Sequence, residues 1–177
     1  ASFVNTPEDI ERCRKEVMKI FDSYEITGIP GDIPIKVSDM KEESDRLGMR
    51  LWGLNHAHLT KSRCHYEFEI TMHKNLPCTT FKGVLAHELL HSWLTLFAIK
   101  LPDNEKEGFC NLGEYLVLKQ DNSREARYQI HSHLETNKSP IYGDGYRLMK
   151  KRLDKLGWKG LMDALLWESK APEHIDL

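Results

Sequence analysis

Leu85-Ala86-His87-Glu88-Leu89-Leu90-His91-Ser92-Trp93 is the stretch around which this chain is organised. Residues four apart on a helix lie about 40° apart around its axis, so the rings of His87 and His91 can converge on one ion. Glu88 sits roughly 100° further round, where it can hold a water beside the ion rather than the ion itself. Zinc with three protein ligands keeps a fourth position for water and lowers the pKa of that water to about 7. The pattern implies hydrolysis rather than passive binding.

The surroundings sharpen that reading. With His87 at zero, Glu88, His91, Ser92 and Thr95 fall on one arc of about 140°. Leu85, Leu89, Leu90, Trp93, Leu94 and Phe97 fill most of the remainder. An outward helix face carries Lys and Arg, and this polar arc carries neither. It reads as the wall of a cleft. A third ligand has to come from another segment, and Glu107 is the best candidate. From His91 to Phe97 a helix advances about 9 Å, and Asn104 to Glu107 recovers about 5 Å on the way back. The intervening loop covers the rest at up to about 3.5 Å per residue. Glu105 and Glu114 are rivals for the same role. The pairs His56/His58 and His131/His133 are read as surface histidines, although the first could meet one ion if it lies on a strand.

The chain has 177 residues, which points to one domain, residues 1–177, with room for a real core. Hydrophobic residues at 40% and charged residues at 29% are ordinary for a soluble globular protein. A formal charge of −2 provides no general attraction to nucleic acid or acidic membranes. No apolar run approaches the roughly 20 residues that span a bilayer. The four cysteines, Cys13, Cys64, Cys78 and Cys110, form no Cys-x-x-Cys pair, which argues against a zinc knuckle or a thioredoxin-type site. Two disulfides are arithmetically possible, and free thiols in a cytoplasmic protein are the expectation. The chain begins Ala1-Ser2, which fits a processed or excised piece.

Along the chain, Thr6-Pro7-Glu8-Asp9 predicts a helix start, continued by Ile10, Cys13, Val17, Ile20, Phe21 and Tyr24. Ile33 to Val37 predicts a short strand, Ser38 to Leu47 a polar helix closed by Gly48, and Leu51 to His58 a weaker extended segment. Tyr66, Phe68, Ile70 and Met72 alternate with polar residues, the period of a strand with one buried face. Thr79 or Thr80 is expected to cap the His87 helix, and Asp103 or Asn104 the next one, which reaches Leu118. Further helices are expected over Ser123–Asn137, Tyr146–Leu156 and Trp158–Glu168. The class is α+β: a small, mostly antiparallel sheet, an active-site helix and a mainly helical C-terminal half.

The chain also resembles a known family, the plant organ-size-regulating, ubiquitin-activated "DA-one-like" metallopeptidases and their bacterial relatives. The likeness rests on Leu85 to Trp93, on Glu107-Gly108-Phe109-Cys110, and on Ser139-Pro140-Ile141-Tyr142-Gly143-Asp144-Gly145-Tyr146-Arg147. Weaker likeness runs through Ile33-Pro34-Ile35, Trp52-Gly53-Leu54, Arg63-Cys64 and Leu76-Pro77. What the resemblance implies is a zincin-like, gluzincin-type zinc peptidase acting on protein or peptide substrates. His87, His91 and Glu107 are then the zinc ligands and Glu88 the general base. Ubiquitin as a regulator is implied by the resemblance alone. The plant members' LIM domain and ubiquitin-interacting motifs are not visible in this sequence.

Tyr142 is the residue chosen to stabilise the oxyanion, with Asp144 fixing its turn or orienting a ligand histidine. The Tyr66–His73 strand, placed at the cleft edge, would pair with an extended substrate. The competing class is a zinc-stabilised module that binds ubiquitin or another partner and cuts nothing. An intact Glu88 argues against it, because a structural zinc site has no need of that carboxylate. The basic run from Arg147 to Lys159 reads as a solvated helix face.

Overall fold

The computed structural model describes residues 2–47, 51–60 and 65–170. Gly48, Arg63 and Cys64 lie outside them. Thr6 opens helix α1 (Pro7–Ser23) as its sequence predicts: its hydroxyl accepts from the Asp9 amide, and Pro7 occupies the first turn. Cys13, Val17 and Phe21 turn the buried face of α1 toward the core. Strand β1 (Phe3–Val4) precedes the helix and pairs antiparallel with β5 (Leu76–Pro77).

The main sheet has three strands in the order β2 (Ile35–Ser38), β4 (His65–His73), β3 (Gly53–Thr60). The alternation seen in the sequence is real: Phe68, Ile70 and Met72 are buried on one face of β4, while Tyr66 is exposed. β3 runs antiparallel to β4 as expected, but β2 runs parallel to it, with Ile35 opposite Ile70. The polar helix α2 (Lys41–Leu47) lies in the crossover between β2 and β3. β4 is therefore the central strand, paired with β3 along most of its length and with β2 over Ile70 to His73. The expectation that it forms the cleft edge is corrected; that edge belongs to β3.

The C-terminal half is helical: α3 (Cys78–Leu96), α4 (Asp103–Lys119), α5 (Arg124–Gln129), a π-helical turn (Ile130–Glu135) and α6 (Gly143–Glu168). The two helices expected at the C-terminus are both present within α6 and meet at a kink at Gly157, whose φ of 67° and ψ of 174° are not helical. α3 is enclosed on most sides. Leu85, Leu89, Leu90 and Trp93 are all buried, against Phe109 and Leu112 of α4 and Phe21 of α1.

Neither capping expectation for α3 or α4 holds. Pro77 and Pro102 occupy the cap positions without a side-chain cap. Thr79 and Thr80 instead donate to Asp121 and Glu125, tying the start of α3 to the segment after α4. Cys13, Cys78 and Cys110 are free thiols. The sulfurs of Cys13 and Cys78 touch at 3.4 Å, and burial pushes the Cys13 thiol up to about 12. No described helix is long and apolar enough to cross a membrane.

Candidate metal centre

α3 and α4 pack side by side, and between them three donor atoms meet. His87 Nε2 and His91 Nε2 are 3.1 Å apart. Glu107 Oε2 lies 3.2 Å from the first and 3.5 Å from the second. Four ligands placed tetrahedrally around zinc at about 2.0–2.1 Å stand roughly 3.3 Å from one another, so this triangle is the size such an ion requires. The helical spacing that brings two imidazoles to one point is thus realised, and of the three acids considered in α4, Glu107 is the one in contact with them. Glu105 pairs with Arg152 at 3.6 Å, away from the histidines. Glu114 reaches the cleft wall without contacting them.

Glu107 owes its position to backbone packing. A side chain on Gly108 would collide with the carbonyl of Gly145, and one on Gly145 with the carbonyl of Asn104. α4 and the start of α6 therefore touch backbone to backbone, which is the physical use of the Tyr142-Gly143-Asp144-Gly145 segment. Asp144 bonds to no histidine among the described residues. It is exposed and pairs with Arg147, whose guanidinium also donates to the carbonyls of Glu135 and Asn137. Burial opposes ionisation of Glu107, but hydrogen bonds from His87 and His91 prevail and hold its carboxyl well below the usual range.

Cys110, one turn after Glu107, was not anticipated as part of the site. Its sulfur and ring nitrogens of His87 and His91 lie within 4.8 Å of one another, so these three also form a group able to hold a cation. The two candidate third donors differ in aspect. Glu107 lines the cleft with both histidines, whereas Cys110 is fully buried and is hydrogen-bonded to the His91 ring. Burial raises the Cys110 thiol, against the pull of His91. Glu107 meets the two rings from the cleft, and Cys110 meets the His91 ring from the buried side.

The cleft has a volume of about 530 Å³, ample for a few residues of an extended peptide. Glu88 lies in its wall, 7% exposed, with its carboxyl raised by burial against the pull of His87 and His91. Strand β3 presses on it: a side chain on Gly53 would stand 2.7 Å from Glu88 Oε1. Two residues on, Asn55 donates to the Glu88 carbonyl at 2.9 Å and to Ser92 Oγ at 2.6 Å. Ser92, expected on the cleft wall, is instead buried under that bond.

Tyr142 reaches the same cleft. Its carbonyl accepts from Asn111, and burial, reinforced by Glu107 and Glu88, raises its phenol. His133, carried by the π-helical turn, also lines the cleft, with its ring edge-on to Trp52. His131 pairs with Glu135 instead. The stacked rings of His56 and His58 lie on exposed positions of β3, and neither belongs to a metal-binding group among the described residues.

Compared with known proteins, the chain matches no family model, and no curated protein or solved structure is detectably similar to it. The functional reading therefore rests on the site itself.

Proposed function

We propose that this protein is a zinc-dependent peptidase of zincin-like fold, with His87, His91 and Glu107 as the metal ligands and Glu88 as the general base. The observation that carries the reading is the triangle of 3.1, 3.2 and 3.5 Å between two imidazoles and one carboxylate, opening onto a cleft that also holds Glu88. Two nitrogens and one oxygen are a donor set that suits zinc and leaves room for substrate. Held by His87, His91 and Glu107, a zinc ion would supply Lewis-acid polarisation of a carbonyl and acidify water.

Glu88 accepts a proton from the attacking water and returns it to the leaving amine. Its burial favours the protonated form, which helps it keep the proton between the two transfers. Asn55 and Gly53 fix the backbone and the carboxylate of Glu88 from the β3 side. Tyr142, whose phenol is held protonated, donates to the developing oxyanion. β3 pairs only with β4 among the described residues, so its outer edge is the one that can bind an extended substrate by backbone hydrogen bonds. A cytoplasmic location fits the free thiols, and regulation by ubiquitin enters only through the family resemblance.

The decisive experiment is digestion of a peptide library by the zinc-loaded protein, with and without chelator, alongside Glu88→Gln. Cleavage should require the metal and vanish in the variant while zinc stays near one per chain. Activity that survives Glu88→Gln removes the general-base role. Bound zinc without cleavage of any peptide leaves the binding module as the better account.

A further inference from the structure

The metal triangle and Glu88 account for two of the three carboxylates that line the cleft; Glu114 is the third. It stands seven residues after Glu107 on α4, a net rotation of about 20° and a rise of about 10 Å, so both acids face the cleft from the same side of the helix. No described residue donates a hydrogen bond to the Glu114 carboxylate or forms an ion pair with it. Its neighbours in charge are His87 and Glu88. Lys106, the cationic side chain on the cleft wall, is held by Asp103 at 2.7 Å and sits about 12 Å back along α4. Glu114 is thus a half-buried acid with no partner, its carboxyl raised by burial, and a cation arriving beside it would favour its charged form.

We infer that Glu114 is a specificity-determining carboxylate that receives the cationic head of a lysine or arginine adjoining the bond to be cut. The inference rests on the peptidase reading and names its substrate class. The space is shaped for such a guest. A side chain on Gly83 would press on Glu114 Cγ at 3.2 Å, so α3 carries a glycine where the Glu114 side chain passes. Val84, Leu134 and Trp52 line the same cleft and supply apolar wall for the methylene stem. The rise of about 10 Å between the two acids is about three extended residues, within reach of a long side chain next to the metal centre. A positioning role for Glu114, acting on His87, is the rival account, and the two predict different readouts.

The test uses the full zinc-loaded chain and quenched peptides carrying Lys, Arg, Gln or Glu at each position flanking the cleaved bond, with free and acetylated N-termini. The expected result is a kcat/KM ratio of Lys or Arg over Gln on the order of tenfold or more at one position, independent of acetylation. That ratio falls to about one in Glu114→Gln and turns in favour of Glu in Glu114→Lys, with zinc content unchanged. A flat profile in the wild type overturns the inference. So does a requirement for a free N-terminus, or loss of zinc in Glu114→Gln, which would mark a positioning residue. If no peptide of any kind is cut, the peptidase reading fails separately. The carboxylate is then judged by NMR titration with N-acetyl-arginine amide, which must shift resonances of the wild type and spare Glu114→Gln; equal shifts, or none, overturn it.

Discussion

Gly53 of β3 passes Glu88 of α3 so closely that a methyl group on its Cα would stand 2.7 Å from the carboxylate oxygen Oε1. The sheet edge and the proposed base are in direct contact, with no room for even the smallest side chain. Gly53→Ala should therefore displace Glu88 while leaving the metal ligands in place. A shift of about 1 Å at a reacting group can cost on the order of 100-fold in rate. The check is kcat alongside zinc content: a fall in kcat at full metal occupancy is the expected outcome, and unchanged kcat would show that Glu88 does not depend on β3.

Asn55 holds the same junction by hydrogen bonds rather than by contact. Its amide bridges the Glu88 carbonyl and Ser92 Oγ, and Ser92 is fully buried. Asn55→Ala leaves that hydroxyl without its donor, at a cost of about 1–3 kcal/mol. For a chain of this size that is a fall in Tm of roughly 2–4 °C for each kcal/mol, readable by calorimetry.

Zinc and protons should compete at His91. Burial lowers the affinity of its ring for a proton, but Cys110 and Glu107 outweigh burial and push it up to about 11. A histidine raised above its unfolded value of about 6.5 stabilises the metal-free fold fully below that pH and loses the contribution as pH rises toward 11. Zinc requires the neutral ring, so its binding at pH 7 should release at least one proton. Calorimetric titrations in buffers of different ionisation enthalpy measure that number, and zero release would contradict the charged ring.

Glu107→Gln should retain the fold and lose metal affinity, because it keeps the shape of the side chain and removes the charge. Losses of 10- to 100-fold are typical even for residues that only support a ligand, so a ligand itself should lose about 100-fold or more. Competition with a coloured chelator measures it. If Cys110 were the third donor instead, Cys110→Ala would be the variant that loses zinc, and Glu107→Gln would keep it.

The parts of this structure that were legible in the sequence are those governed by neighbours along the chain. Thr6 caps α1 because Pro7 and Asp9 follow it, and His87 meets His91 because four residues make about one turn. Gly157 breaks α6 where the sequence divides two helical patterns. Distant partners overrode local preference elsewhere. Thr79 and Thr80 look like helix caps, yet Asp121 and Glu125, more than forty residues away, take their hydroxyls. The alternation in β4 reveals which face is buried and says nothing of which strands flank it, so its central place and the edge role of β3 stayed hidden. Cys110 could have been found, since three residues after Glu107 is the same helix face. Gly53 and Asn55 could not, because no periodicity connects them to α3.

The contact of Gly108 with Gly145 has a consequence for how the acid side of the cleft behaves. Where two main chains abut, the gap between them is decided when the chain folds and cannot be retuned by a rotamer change. Glu107 and Tyr142, each within three residues of that junction, should keep a fixed separation whether or not a guest occupies the cleft. Any adaptation to differently shaped guests then falls to the β3 side.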